Sequence, residues 1–208
     1  MDGAEIQESV LTLYFLDRAG IGVSCFAPDR PQMHVMNHLT GETTDERRNV
    51  LVESARIVRG SVQDLANASM KAFDALVLPG GFGVAKNLSD FAVKGPAATV
   101  APELVRVIGE AVEAKKPIVA ICIAPAILAA ALSKLGAAAR VTIGDDAATA
   151  QAIESLGSIH QVCPVEEAVV DERHRIVSAP AYMMKAGPLG VGKGIEAAIG
   201  KLASWLSN

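Results

Sequence analysis

Short apolar runs alternate with stretches of helical periodicity along nearly the whole chain, and this alternation confines the fold more than any other feature. Residues 4–19 set Ile6, Val10, Leu11, Leu13, Tyr14 and Leu16 at helical spacing and stop at Gly20. Residues 22–27 form a short apolar run closed by Pro28, and 33–36 a second. Residues 45–59 are helical in pattern, with acids early, Arg59 late and Gly60 after it. Residues 75–78 are a compact strand that runs into Pro79-Gly80-Gly81, and a helix is expected over 101–114. Residues 118–122 read as a buried strand and 124–135 as the helix after it, ending at Gly136. The alternation goes on with a strand at 140–143, a helix at 146–156 and a strand at 160–163. Residues 168–170 and 175–179 then pattern as a hairpin, and 192–206 as a last helix. Such an order predicts an α/β fold with a mainly parallel sheet. Ligands in these sheets sit beyond the carboxyl ends of the strands, here the residues after Leu78 and Ile121.

Composition removes several functional classes. Of 208 residues, 50% are hydrophobic and 20% charged, which suits a packed core. A net charge of -4 without a basic cluster argues against nucleic-acid binding. The longest apolar run, 118–132, is shorter than the roughly 20 residues of a membrane span, and Pro125 interrupts it. The first ten residues carry Asp2, Glu5 and Glu8 and no basic segment, so no secretory signal is expected. Three cysteines without a CxxC spacing predict a reduced compartment, the cytoplasm by default, and no structural zinc.

Three segments carry candidate chemistry. Cys122 stands where a strand turns into a helix, exposed above a sheet and backed by a helix N-terminus that favours a thiolate. A small buried core cysteine fits the same position. Gly80 and Gly81 end the neighbouring strand, and their N–H groups can approach a ligand closely as an oxyanion hole; a tight turn is the plainer use of such a pair. Glu5 and Glu8 share one helical turn, and Glu8 facing the sheet would have a raised pKa suited to proton transfer. Both acids equally suit the positive end of a helix dipole. His38 stands in a polar interruption with no structural need for histidine, where an ordinary surface or packed histidine fits better than a functional one, and the segment 178–182 suits a pocket wall or plain packing equally.

Taken together, Glu5-Ile-Gln-Glu8, Asn37-His-Leu-Thr-Gly-Glu42, Leu78-Pro-Gly-Gly-Phe-Gly-Val-Ala-Lys-Asn-Leu88, Ile121-Cys-Ile-Ala-Pro-Ala126 and Ser178-Ala-Pro-Ala-Tyr-Met183 resemble the ElbB glyoxalase-like family. That family belongs to the PfpI/ThiJ superfamily, within the class I glutamine amidotransferase-like fold. The resemblance runs over almost the whole chain and implies one such domain, residues 1–208, built as a flavodoxin-like three-layer sandwich. It implies a reactive Cys122 and assigns the superfamily's protonated glutamate to Glu8. It places Gly80, Gly81 and Ile123 at the oxyanion hole and Asn87 and His38 near the substrate. The implied activity is glutathione-independent conversion of methylglyoxal, or a related 2-oxoaldehyde, to a 2-hydroxy acid. The resemblance implies a homodimer and calls for no metal or organic cofactor.

Two departures bear on that reading. Superfamily members often carry histidine directly after the nucleophile, and Ile123 stands there. This opens two alternatives: a non-catalytic stress protein with an oxidisable Cys122, and a glutamine amidotransferase-like subunit. The family's first apolar strand is also expected ahead of Asp2-Gly3. Its absence would expose unpaired backbone groups, and a misplaced start or truncation, hiding an organellar leader, would explain it.

Overall fold

A computed structural model describes residues 1–207. In chain order the elements begin with α1 (Ile6–Arg18), β1 (Cys25–Ala27), β2 (Val35–Met36), β3 (Thr43–Thr44), α2 (Val50–Ile57) and β4 (Val62–Asp64). Next come β5 (Leu76–Leu78), α3 (Phe82–Lys86), α4 (Phe91–Lys94), α5 (Pro102–Glu113), β6 (Ile118–Ile121) and α6 (Ala124–Lys134). The chain closes with β7 (Arg140–Val141), α7 (Ala147–Ser155), β8 (Ile159–His160), β9 (Val169–Asp171), β10 (Ile176–Ala179) and α8 (Pro188–Leu206). This is an α/β fold with mainly parallel strands.

The central sheet has the order β5-β6-β10-β9. The first three strands run parallel, and β9 returns antiparallel along the outer edge of β10. Val77, Val119 and Val177 lie abreast in the shared register. Carried forward, that register sets Gly80, Cys122 and Pro180 side by side at the carboxyl ends. Strand β6 occupies the middle of the sheet with both faces covered, and all four of its residues are fully buried. That is why its sequence is an unbroken apolar run rather than an alternation.

Helix α6 behind β6 is apolar all round, because Ala124–Leu132 is wholly buried between the sheet and its neighbours. Helices α5 and α8 each bury one stripe, Leu104, Val107, Ile108 and Ala111 on α5 and Val191, Ile195, Ala198, Ile199 and Leu202 on α8. Leu11 of α1 reaches Gly192 of α8, so these two helices pack against each other directly.

Parallel strands β1 and β4 pair only with each other, and among the described residues no ladder joins them to β5. The β5 edge away from β6 is accordingly half-buried at Leu76 and Val77.

Several boundaries differ from the sequence reading. Only Cys25–Ala27 of the 22–27 run is strand. The helix expected over 45–59 starts at Val50, since Asn49 caps it by accepting from Val52 N. Strands β3 and β4 and helices α3 and α4 were not expected; they are short, and the glycines of 80–95 hid the helical spacing. Helix α8 begins four residues early because Pro188 is suited to a first helical turn.

Candidate active site

Strand β6 ends in a backbone turn that presents Cys122. Its φ is +62°, a left-handed conformation that costs a residue with a Cβ about 1–2 kcal/mol. The Cys122 N–H still donates to Ala179 O at 2.9 Å, so the β6–β10 ladder holds the strained residue in place. Helix α6 starts two residues later, directing its unpaired N–H groups toward the turn.

Glu8 is brought to the same point by α1 and is fully buried. Glu5 caps that helix, its carboxylate accepting from Glu8 N at 2.6 Å. The two acids therefore divide the two roles that the sequence left open: Glu5 caps and remains part-exposed, and Glu8 enters the site. Glu8 Oε1 accepts from Tyr182 N at 3.0 Å. Glu8 Oε2 has no hydrogen-bond partner, although it lies near the Cys122 thiol.

Gly80 makes that approach possible. A methyl group there would overlap both Glu8 Oε2 and Cys122 Cβ and come within 3.0 Å of Ile121 O. Gly81 has φ +106°, open in practice only to glycine, and a methyl there would strike the backbone of residues 3–5. Glu5 N donates to Gly80 O at 3.0 Å, and Gly83 N to Gly3 O at 2.8 Å. The glycine turn and the start of α1 thus lock together backbone to backbone.

Burial dominates the electrostatics. It raises the Glu8 pKa from the ordinary 4.5 to about 7, partly opposed by the Tyr182 N–H and the Cys122 thiol, with Glu5 adding slightly to the rise. Burial also pushes the Cys122 thiol far above its usual range, and negative charge on Glu8 adds to that. The N–H groups of Gly81 and Ile123 act on the sulfur in the opposite sense. A buried pair of this kind cannot hold two charges, so it keeps one proton over a wide pH range above neutrality.

The other candidates sit differently. Asn87 is buried, but its amide donates to Asp2 O at 2.8 Å and accepts from Met33 N at 2.9 Å. Both its ends are occupied in tying segment 33–36 to the chain before α1. His38 is exposed in the β2–β3 turn, 3.2 Å from the Asp2 carboxylate. Among the described residues neither bonds to Glu8 or Cys122, and no trio of His, Cys, Asp or Glu is arranged to hold a metal ion. The sequence reading missed the Tyr182 N–H. The left-handed Ala181, φ +45°, that aims it has no signature in a Pro-Ala-Tyr string.

The chain belongs to the DJ-1/PfpI family, whose model matches residues 1–179. Two mitochondrial relatives narrow its place within the class I glutamine amidotransferase-like proteins. It is 44% identical over 211 residues to the human glutamine amidotransferase-like class 1 domain-containing protein 3, mitochondrial, covering 97% of this chain and 77% of that one. It is 45% identical over 211 residues to the rat ES1 protein homolog, mitochondrial, with 97% and 78% covered. Among solved structures it superimposes, at TM-score 0.93 and 42% identity, on an isoprenoid biosynthesis protein with amidotransferase-like domain from Ehrlichia chaffeensis, spanning 99% of this chain and 93% of that one. The resemblance read from the sequence is thereby confirmed at the level of the family.

Proposed function

We propose that the protein is a cofactor-free enzyme that uses Cys122 and Glu8 to convert a small 2-oxoaldehyde, such as methylglyoxal, to its 2-hydroxy acid. The observation that carries this reading is the strained Cys122 meeting a fully buried carboxyl across a glycine with no room for a side chain. At rest above neutrality the pair's one proton lies on sulfur; Glu8 takes it as the aldehyde is attacked, and Gly81 N–H, Ile123 N–H and the start of α6 stabilise the charge that passes through sulfur.

The thiolate adds to the aldehyde carbon, and the carbonyl oxygen takes a proton to give a hemithioacetal. Glu8, now ionised, removes the hydrogen from that carbon. The resulting enediol is protonated at the adjacent carbon, leaving a thioester of the hydroxy acid. Water cleaves the thioester and restores the thiol, so the net change is the addition of one water. Gly81 and Ile123 N–H groups hold the developing oxyanion. Cys122 is only 7% exposed, which favours a substrate of a few heavy atoms.

Lactate formation from methylglyoxal without glutathione, measured for wild type and Cys122→Ala, tests this reading. Turnover that vanishes in the variant is the expected result, and full turnover in Cys122→Ala would sink it. A second reading is oxidation sensing at Cys122, favoured because Ile123 offers the sulfur only a backbone N–H and no imidazole. It predicts a mass gain on Cys122 at low peroxide with no aldehyde turnover. An ammonia-producing amidotransferase subunit stands third, since it requires a histidine partner for the cysteine.

The same reading takes residues 1–208 as one domain, a three-layer sandwich in which β1–β4 is a detached part of a single sheet. The continuous apolar core from Phe15 to Leu202 supports this. A homodimer remains part of the proposal. No helix of the described residues is long and apolar enough to cross a membrane, and the curated relatives named as mitochondrial favour an organellar over a cytoplasmic location.

A further inference from the structure

At the opposite end of the sheet from Cys122, a cavity of about 310 Å³ opens where β6 and β10 begin. Asp74, Lys115, Lys116, Arg175 and Trp205 line it. The strand length puts it roughly 15–20 Å from the cysteine, so it is no extension of that site.

Its cations are held in an unusual way. The Lys116 ammonium donates to Met70 O and Phe73 O, each at 2.6 Å, which leaves one of its three protons uncommitted. Arg175 donates from Nη2 to Trp205 O at 2.9 Å, and its guanidinium stands 5.7 Å from the Trp205 ring centre. Its Nε is buried without any partner. The Arg175 backbone is fixed as well, since its carbonyl accepts from Ile118 N at 2.9 Å. Two part-buried cations are thus positioned by neutral carbonyls, and among the described residues neither these two nor Lys115 has an ion pair. The nearby Glu172 is occupied by Lys201 and by Trp205 Nε1. Asp74, exposed on the rim, is the one carboxylate lining the cavity among the described residues, against three cations.

Part-buried cations without counter-charge are costly, and a guanidinium donates in a planar fork that matches the geometry of an oxyanion. We propose that this cavity is a binding site for a small phosphate-bearing anion, held by Arg175 and Lys116 with Lys115 at the rim. A cavity of this size admits a small molecule rather than a polymer.

Trp205 is the only tryptophan in the chain, so its fluorescence reports on the cavity directly. The experiment titrates inorganic phosphate, and in parallel succinate, at constant ionic strength. The expected result is a saturable change with phosphate. Arg175→Gln and Lys116→Gln should each raise the dissociation constant at least about tenfold, as the loss of a hydrogen bond to a charged group implies. Lys115→Gln, on an exposed side chain that holds no backbone, should give a smaller rise in a fully folded protein. Cys122→Ala should bind phosphate as the wild type does. A change that merely tracks ionic strength, or equal affinity in wild type, Arg175→Gln and Lys115→Gln, would overturn the proposal. Saturation by succinate alone would overturn the phosphate assignment.

Discussion

Glu8→Gln should stabilise the folded protein at alkaline pH and do little in acid. Glu8 titrates near 4.5 when unfolded and near 7 when folded, so the folded state holds its proton more tightly. The associated stability is fully present below pH 4.5 and is lost as pH rises through 7. At about 1.4 kcal/mol for each pH unit between the two values, the loss reaches roughly 3 kcal/mol, most of it between pH 5 and 8. Glutamine is almost isosteric. Its oxygen can keep the bond from Tyr182 N, and its amide can face the sulfur, but it cannot ionise. Urea melts of wild type and variant at pH 5 and pH 8 measure the difference. The variant should be the more stable at pH 8 by an amount that shrinks by roughly 2–3 kcal/mol at pH 5. A stability difference that is the same at both pH values would refute the reasoning, because burial of the carboxyl would then not be what sets its titration. The same variant should also lose aldehyde turnover, since no base remains to move the carbon-bound hydrogen.

Gly80→Ala should cost about 3 kcal/mol or more and abolish turnover, because the added methyl overlaps both members of the pair; calorimetry with the lactate assay checks this. Asn87→Ala should cost about 1–3 kcal/mol by stranding Asp2 O and Met33 N, as measured by denaturant midpoint. Alkylation of Cys122 in that folded variant should proceed near the wild-type rate, since Asn87 makes no bond to the pair.

The strand-to-helix punctuation around 75–81 and 118–126 was legible because β5 and β6 are unbroken apolar runs, the first closed by Pro79-Gly80-Gly81 and the second followed by Pro125 in the first turn of α6. The place of Cys122 at a strand-to-helix turn followed from that punctuation, whereas a reactive role for it came only with the family resemblance. The choice between Glu5 and Glu8 could not follow from it, since both spacings suit one helical turn. Burial separates them, with Glu8 enclosed and Glu5 part-exposed, and burial depends on where α1 lies against the sheet. Asn87 and His38 fit a substrate contact by resemblance, but the structure gives the Asn87 amide to two backbone groups and leaves His38 in an exposed turn. Their partners, Asp2 and Met33, are distant in sequence, and no periodicity records such ties. Phosphate-site residues Lys116 and Arg175 drew no notice in the sequence for a similar reason. Single basic residues before strands are ordinary, and only the folded register shows that they share a cavity.

The isolation of the β1–β4 pair has a dynamic consequence. Three matched positions on each side give that ladder little strength of its own, whereas β6 is clamped between β5 and β10. Native-state amide exchange should therefore divide the molecule. The amides of Cys25–Ala27 and Val62–Asp64 should trade hydrogen through frequent local opening, and those of Ile118–Ile121 only when the whole chain unfolds. The cysteine and glutamate would then ride on the slow-exchanging half, and protease nicking would begin in the other.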